Sequence, residues 1–370
     1  MVLQDLQQIL EARAPREIAW ERDNVGVQTG SNQQRVRSIL VTLDVTDAVI
    51  NEAIRKKISV IISHHPLIFQ PIKTLNANTR TGRLLTKLLA SKIALYVMHT
   101  NLDFTEEGVS FSLATQLQLH QTEVLHQHYQ IQKKIVVYVP EEHAEQLIHA
   151  MSAQGAGIIG NYEYCSFRTQ GVGTFKPRKG AQPFKGKIGR LETASEVRLE
   201  MIAPAWNVQN VLQAMRDVHP FEEVAYEIYD LANSSKNLGA GAIGVLKRSQ
   251  TLTSFLAHVR HCLHVPSLRF AAGLRKTIRR VAVCGGSGSD LISIAIQRGA
   301  DAFVTADLTY HKFQDCDNRI VLIDAGHYET EIPLVKHLVE YLKSELAARK
   351  EKVLVLPSNV KSNFVQYSLA

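Results

Sequence analysis

A chain of 370 residues with 45% hydrophobic and 21% charged residues exceeds one ordinary core, and about 150 residues per domain points to two or three. No apolar run reaches the ~18 residues of a membrane span, and the opening MVLQDLQQILEARAP carries Asp5 and Glu11 with no basic segment ahead of an apolar one, so a cytoplasmic protein is expected. The net charge of +7 gathers in KPRKGAQPFKGKIGR (176–190) and LRKTIRR (274–280), which can attract nucleic acid or a phosphorylated metabolite, although no nucleic-acid motif accompanies them.

The first third alternates strands and helices. SILVTLDV (38–45), ISVIISHH (58–65) and IALYVMHT (93–100) are apolar, partly β-branched runs of the kind found in buried parallel strands, with helical stretches TDAVINEAIRKK (46–57) and TRTGRLLTKLLASK (79–92) between them. From 131 to 231 the order becomes KKIVVYVP, a helix over EEHAEQLIHAMSAQG, a Gly-rich pair of strands through YEYCSFRTQGVGTF, SEVRLEMIAP, a helix over NVQNVLQAMRDV and EEVAYEIYDL. That is the split β-α-β-β-α-β pattern of a ferredoxin-like domain. The last third returns to α/β with RRVAVCGG (279–286), ADAFVTAD (300–307) and RIVLIDAGH (319–327) as strands and helices near 289–298 and 333–349. The expected fold is therefore α/β, a two-lobed α/β/α unit with an inserted α+β domain: 1–127 as first lobe, 128–240 as insert and 241–370 as second lobe.

Four widely spaced cysteines, Cys165, Cys262, Cys284 and Cys316, form no C-x-x-C pair, so reduced thiols are expected rather than a zinc knuckle or disulfide framework. The chemistry lies instead at the carboxyl ends of the outer strands, where open α/β sheets bind ligands. There stand Asp44, His64 and His65, His99 with Asp103, Gly285 and Gly286, Asp307, and His327.

His64, His65, Asp103, His327 and Glu331 are imidazoles and carboxylates, a set suited to zinc, iron or manganese. Five side chains exceed one tetrahedral ion, and a shared carboxylate with a bridging water would complete two. Adjacent residues of an extended strand point to opposite faces, so His64 and His65 are expected to diverge, each toward its own ion. Pro333 limits any helix behind His327 and Glu331, which predicts Thr330 as N-cap, Glu331 in the first turn and His327 in the preceding loop. A lone histidine at a strand end is more often a hydrogen-bonded structural residue than a ligand, and the residues alone leave both readings open.

His99, four before Asp103, is a candidate proton shuttle or partner of a ligand. Asp307, Tyr310 and His311 in TADLTYHKF are candidates to orient ligands or substrate, with His311 a second proton carrier. CGGSGSD lacks the third glycine of G-x-G-x-x-G and reads as a tight turn. Asp23 and Asn24 are explained by turn chemistry. His219, Glu222 and Glu223 in HPFEE fit a structural role better than a metal site.

WERDNVGVQTG, LVTLDVT, ISHHPLIFQPIKTL, HTNLD, GGSGSD, TADLTYHKF and IDAGHYETE, taken together and in this order, resemble the dinuclear metal-centre family of GTP cyclohydrolase I type 2 homologues (Nif-three-like). YEYCSFRTQGVGTFKP and HPFEEVAYEIYDL resemble the PII-like or CutA-like insert of its longer bacterial members. The resemblance implies His64, His65, Asp103, His327 and Glu331 as ligands of two divalent metal ions, in a ring-shaped homohexamer with its sites facing an internal cavity. It also implies a metal-dependent hydrolase, GTP cyclohydrolase-like or a phosphoesterase, in which a metal-bridged hydroxide attacks a nucleotide-like or phosphorylated substrate. Rival readings are a non-catalytic metal-handling or regulatory assembly and a nucleic-acid-associated protein.

Overall fold

The computed structural model describes residues 1–129, 131–274 and 276–368; Arg275 of the second basic cluster lies outside them. The chain divides into two compact units, Met1–Gln127 with Lys236–Ala370, and His128–Ser235.

The larger unit contains two sheets. The first runs in the order Gly26–Thr29, Ala94–Val97, Val60–Ser63, Ser38–Thr42 and Leu354–Pro357, parallel except for its first strand. Every residue of Val60–Ser63, Ser38–Thr42 and Ala94–Val97 is buried, as continuous apolar runs require when helices cover both faces. One face packs on Leu3, Leu6 and Leu10 of helix Leu3–Arg13 and on Leu338 and Leu342 of helix Pro333–Ala348. The other meets helices Asp47–Arg55 and Arg80–Ala90. Both of these begin on a threonine: the Thr46 and Thr79 hydroxyls accept hydrogen bonds from Val49 and Gly82 N–H, satisfying donors the first helical turn leaves free.

The second sheet runs Arg269–Ala271, Val321–Asp324, Ala302–Ala306, Ile278–Ser287, Ser234–Gln250 and His120–Tyr129. Its centre is parallel, and its neighbours Arg269–Ala271 and Ser234–Gln250 pair antiparallel. The lobes exchange elements. Helix Val109–Gln116 and strand His120–Tyr129, early in the chain, belong with the second sheet, while helix Pro333–Ala348 and strand Leu354–Pro357 return to the first. Strand Leu354–Pro357 runs parallel beside Ser38–Thr42, so the two halves of the chain are interlocked by their hydrogen bonds.

The smaller unit has a four-stranded sheet in the order Ser166–Phe175, Glu192–Pro204, Gln132–Val139, Tyr226–Asp230. All its pairs are antiparallel, and helices Ala144–Ala153 and Val208–Val218 share its core through Leu147, Met151, Val211 and Met215. This is the split β-α-β-β-α-β arrangement. The Gly-rich segment differs from expectation: it forms the single strand Ser166–Phe175, preceded by an isolated bridge between Ile159 and Tyr162. Positive φ at Gly157 and Gly160 turns the chain there and ends any longer hairpin. Among the described residues no helix is long and apolar enough to cross a membrane, and all four cysteines are free.

Candidate metal centre

The carboxyl ends of both sheets of the larger unit deliver their polar residues to one place. Strand Val60–Ser63 stops just before His64 and His65, whose N–H groups continue the ladder by donating to Thr42 O (3.1 Å) and Leu43 O (2.9 Å). Because both histidines lie beyond the regular strand, they do not alternate: their rings stand 5.0 Å apart, tilted by 50°, and their Nε2 atoms converge. The expected divergence is therefore corrected.

Strand Ala94–Val97 leads to His99 and the short helix Thr100–Asp103. From the second sheet, Val321–Asp324 leads through Gly326, at φ +88°, into helix His327–Glu331. His327 thus sits in a helical turn rather than in the preceding loop, because Gly326 lets the chain turn sharply and Pro333 begins a separate helix. His327 Nε2 lies 3.0 Å from Glu331 Oε1 across one turn. Thr330 is no N-cap; its hydroxyl accepts from Gly286 N–H at 3.0 Å and ties this helix to the neighbouring strand.

The imidazoles share one mode of support. His64 Nδ1 is 2.7 Å from the Met98 carbonyl oxygen, His65 Nδ1 2.9 Å from Asp44 Oδ1, His99 Nδ1 2.9 Å from Asp23 Oδ2 and His327 Nδ1 2.6 Å from Asp307 Oδ2. Carbonyl and carboxylate oxygens only accept, so each Nδ1 carries a proton, and a ring in its neutral form has its lone pair at Nε2. These Nε2 atoms meet one another. Those of His65 and His327 are 3.3 Å apart, and one ring nitrogen each of His64, His65 and His99 lie within 4.8 Å of one another; His65, His327 and Glu331 form a second such cluster. Asp103 Oδ1 lies 3.6 Å from His64 Nε2, and Glu331 Oε2 lies 3.1 Å from His65 Nε2. His64 Nε2 and Glu331 Oε2 are buried without a hydrogen-bond partner.

The electrostatics follow from that crowding. Burial opposes the imidazolium of His65, but the neighbouring Asp44 and Glu331 carboxylates outweigh it and raise its pKa to about 10. His327 is raised to about 9 against the same burial, by Glu331 and Asp307. Burial works against the Glu331 carboxylate, yet the three imidazoles hold its pKa well below the ordinary value. Asp103 is pushed up by desolvation despite the pull of His64. Burial also pushes the Cys284 thiol to about 12, so it stays protonated beside the cluster. Converging imidazole nitrogens, the buried Glu331 carboxylate, the half-buried Asp103 carboxylate and two orphaned polar atoms form a donor set that fits a divalent cation of the zinc, iron or manganese kind.

His99, anticipated as a proton carrier, stands within ligand distance of His64 and His65. Tyr310 and His311 are exposed on helix Tyr310–Asp315 with rings 5.6 Å apart, and among the described residues the hydrogen bonds of the cluster do not include them. His219 is held by Tyr138 O and Phe221 N–H in the smaller unit, a structural role.

Three residues that the sequence placed only at a turn or at strand ends have specific roles in the cluster. Asp23 and Asp44 orient His99 and His65, and the only signal was an acid in a turn or at a neighbouring strand end. Gly286, at φ +63°, faces Glu331 and His327 so closely that any side chain would overlap them; a Gly-Gly pair closing a strand was its signal. A cleft of about 370 Å³ adjoins the cluster, bounded by His65, His327, Arg269, Tyr328, Phe364 and Tyr367. Arg80 lines a second recess together with Phe364, Asp44 and His65 and lies over the Phe364 ring at 5.8 Å.

Residues 1–363 match the Duf34/NIF3 (NGG1p interacting factor 3) family. The chain belongs to that family. Among its curated relatives is a GTP cyclohydrolase 1 type 2 homolog of Bacillus subtilis (strain 168), 41% identical over 331 residues, 89% of each chain. Another, of Halalkalibacterium halodurans, is 38% identical over 362 residues, 97% of each. Solved structures of the same fold include a Bacillus cereus protein related to NIF3, with a TM-score of 0.85 at 38% identity, covering 100% of this chain and 99% of that one. A Staphylococcus aureus protein gives a TM-score of 0.80 at 30% identity with the same coverage. The Duf34/NIF3 assignment thus spans both units, and the histidine–carboxylate cluster described above lies in the larger one.

Proposed function

We propose that this Duf34/NIF3 protein binds two divalent metal ions per chain and is a metal-dependent hydrolase acting on a nucleotide-like or phosphorylated substrate. The observation that carries this reading is the convergence of imidazole Nε2 atoms whose Nδ1 atoms are all committed elsewhere. Lone pairs 3.3 Å apart, as at His65 and His327, repel unless a proton or cation lies between them. Two overlapping donor groups sharing His65, extended by Asp103, support two ions rather than one. When bound, such a pair supplies Lewis-acid activation of water and of a developing oxyanion.

The remaining work falls to the chain. Asp44, Asp23 and Asp307 hold the imidazole planes and fix their tautomers. The adjoining cleft receives the substrate, where Phe364 and Tyr367 offer rings for a planar base, and Arg80, exposed, offers its guanidinium to phosphate. Arg269 is already engaged by Asp324 and Leu308 O and shapes the wall. A ring of six copies and a cytoplasmic location complete the reading; sedimentation of the metal-loaded protein tests the first.

The deciding comparison sets His64→Ala and Glu331→Gln against the parent for bound metal and for hydrolysis across a panel of nucleotides and phosphoesters. Loss of metal and of turnover in both variants is expected. Unchanged metal content in both overturns the site. Metal loss without turnover by the parent overturns the hydrolase and leaves the metal-handling assembly.

A further inference from the structure

The smaller unit carries a second cavity, of about 370 Å³, unrelated to the cluster of histidines. That volume suits a small molecule. Its apolar walls are three phenylalanines: Phe175 at the end of strand Ser166–Phe175, Phe184 in the following loop, and Phe221 after helix Val208–Val218. The Phe221 ring lies 6.4 Å from that of Phe175 and 6.1 Å from that of Phe184, tilted by 44° and 49°. The rings therefore present faces and edges to a common space instead of filling it.

Among them sits Glu196, half-buried on strand Glu192–Pro204, paired across the ladder with Gly171 and with its carboxylate against Gly173. Among the described residues its carboxylate has no hydrogen bond and no ion pair, and burial pushes its pKa up with no neighbouring charge to offset the cost. Room for it comes from Gly173. A Cβ there would overlap the carboxylate, 3.1 Å from Cδ. The loop over the cavity is pinned on the opposite side, where Glu222 accepts from Gln182 N–H at 2.8 Å and Gly189 N–H donates to Pro177 O at 2.8 Å. The lining holds three carboxylates, Glu196, Glu222 and Glu223, against two exposed ammoniums, Lys176 and Lys185.

We infer that this cavity is a binding site for a small organic ammonium cation with an apolar body, its charge met by Glu196 and its body by the three phenyl rings. An uncompensated carboxylate inside an aromatic enclosure is stabilised by a cation, and ring faces attract that cation through their quadrupoles. A carboxylate or phosphate ligand would instead face Glu196 at close range.

The test is calorimetric titration of the full-length protein with phenethylamine, 3-phenylpropionate and 2-phenylethanol, which share a body and differ in charge. Saturable binding of phenethylamine is expected, about 10-fold tighter than that of either other probe. Glu196→Gln and Gly173→Ala, the second moving the carboxylate without removing it, should each weaken the amine about 10-fold, bringing it level with the alcohol. His64→Ala should bind the amine as the parent does. Equal binding of the three probes, amine affinity unchanged in both cavity variants, loss of amine binding in His64→Ala, or no binding up to millimolar concentration would each overturn the inference.

Discussion

Gly286→Ala should damage the metal centre without touching a ligand. Gly286 closes strand Ile278–Ser287 at φ +63°, a conformation that costs an alanine roughly 1–2 kcal/mol. Its added Cβ would overlap Glu331 Oε1 and fall 3.2 Å from His327 Nε2. A comfortable carbon–oxygen separation is about 3.5 Å, so the carboxylate must retreat by roughly 1 Å. It has little room to do so: Glu331 is 4% exposed and wedged between three histidines. Displacements of that size cost on the order of 100-fold where geometry is critical. The variant should therefore lose about 1–2 kcal/mol in urea unfolding of the metal-free protein and bind zinc or manganese on the order of 100-fold more weakly by competition with a chelating dye. Metal affinity equal to the parent's would refute the placement of Glu331 against Gly286 and with it the ligand geometry.

Asp23→Asn and Asp307→Asn remove the anchors of His99 and His327; each should weaken metal binding about 10- to 100-fold while leaving stoichiometry at saturation intact. Glu52, 2% exposed, accepts from Lys56, the Ser358 hydroxyl and Asn359 N–H; although burial opposes its charge, these partners hold its pKa below 4.5. Its contribution is thus fully present above the unfolded value and fades as pH falls through the lower, folded one. Glu52→Gln should cost about 1–3 kcal/mol near pH 7 in denaturant titration, with the difference from the parent shrinking in acid below the ordinary carboxylate range. Leu342→Ala, at a fully buried position where helix Pro333–Ala348 packs on the first sheet, should cost about 2–5 kcal/mol by the same measurement.

The central strands were legible because burial on both faces demands continuous apolar runs, as in SILVT and VIIS. The exchange of elements between lobes was not. Leu354–Pro357 is a short segment whose place beside Ser38–Thr42 is set by long-range pairing, and local pattern carries no record of a partner over 300 residues away. Polar residues at the strand ends were readable from residue type, but residue type left His64, His65, Asp103, His327 and Glu331 open as ligands or structural groups, and the family resemblance named them as a set. Their orientation was not legible: strand alternation predicted rings pointing apart, and the strand ends at Ser63, one residue too early for that rule. The Nδ1 partners Asp23 and Asp44 likewise read as ordinary turn and strand-end acids, since only the folded chain brings Asp23 beside His99, 76 residues away.

The most direct measurement is the metal-to-protein ratio, by elemental analysis after exhaustive dialysis, for the parent, His65→Ala and Asp103→Asn. His65 belongs to both donor groups, whereas Asp103 belongs to neither and pairs with His64. A ratio near two for the parent, near zero for His65→Ala and near one for Asp103→Asn is predicted. A parent that holds no divalent metal when supplied with zinc, iron or manganese, or a His65→Ala variant that keeps the parent's ratio, would contradict the account.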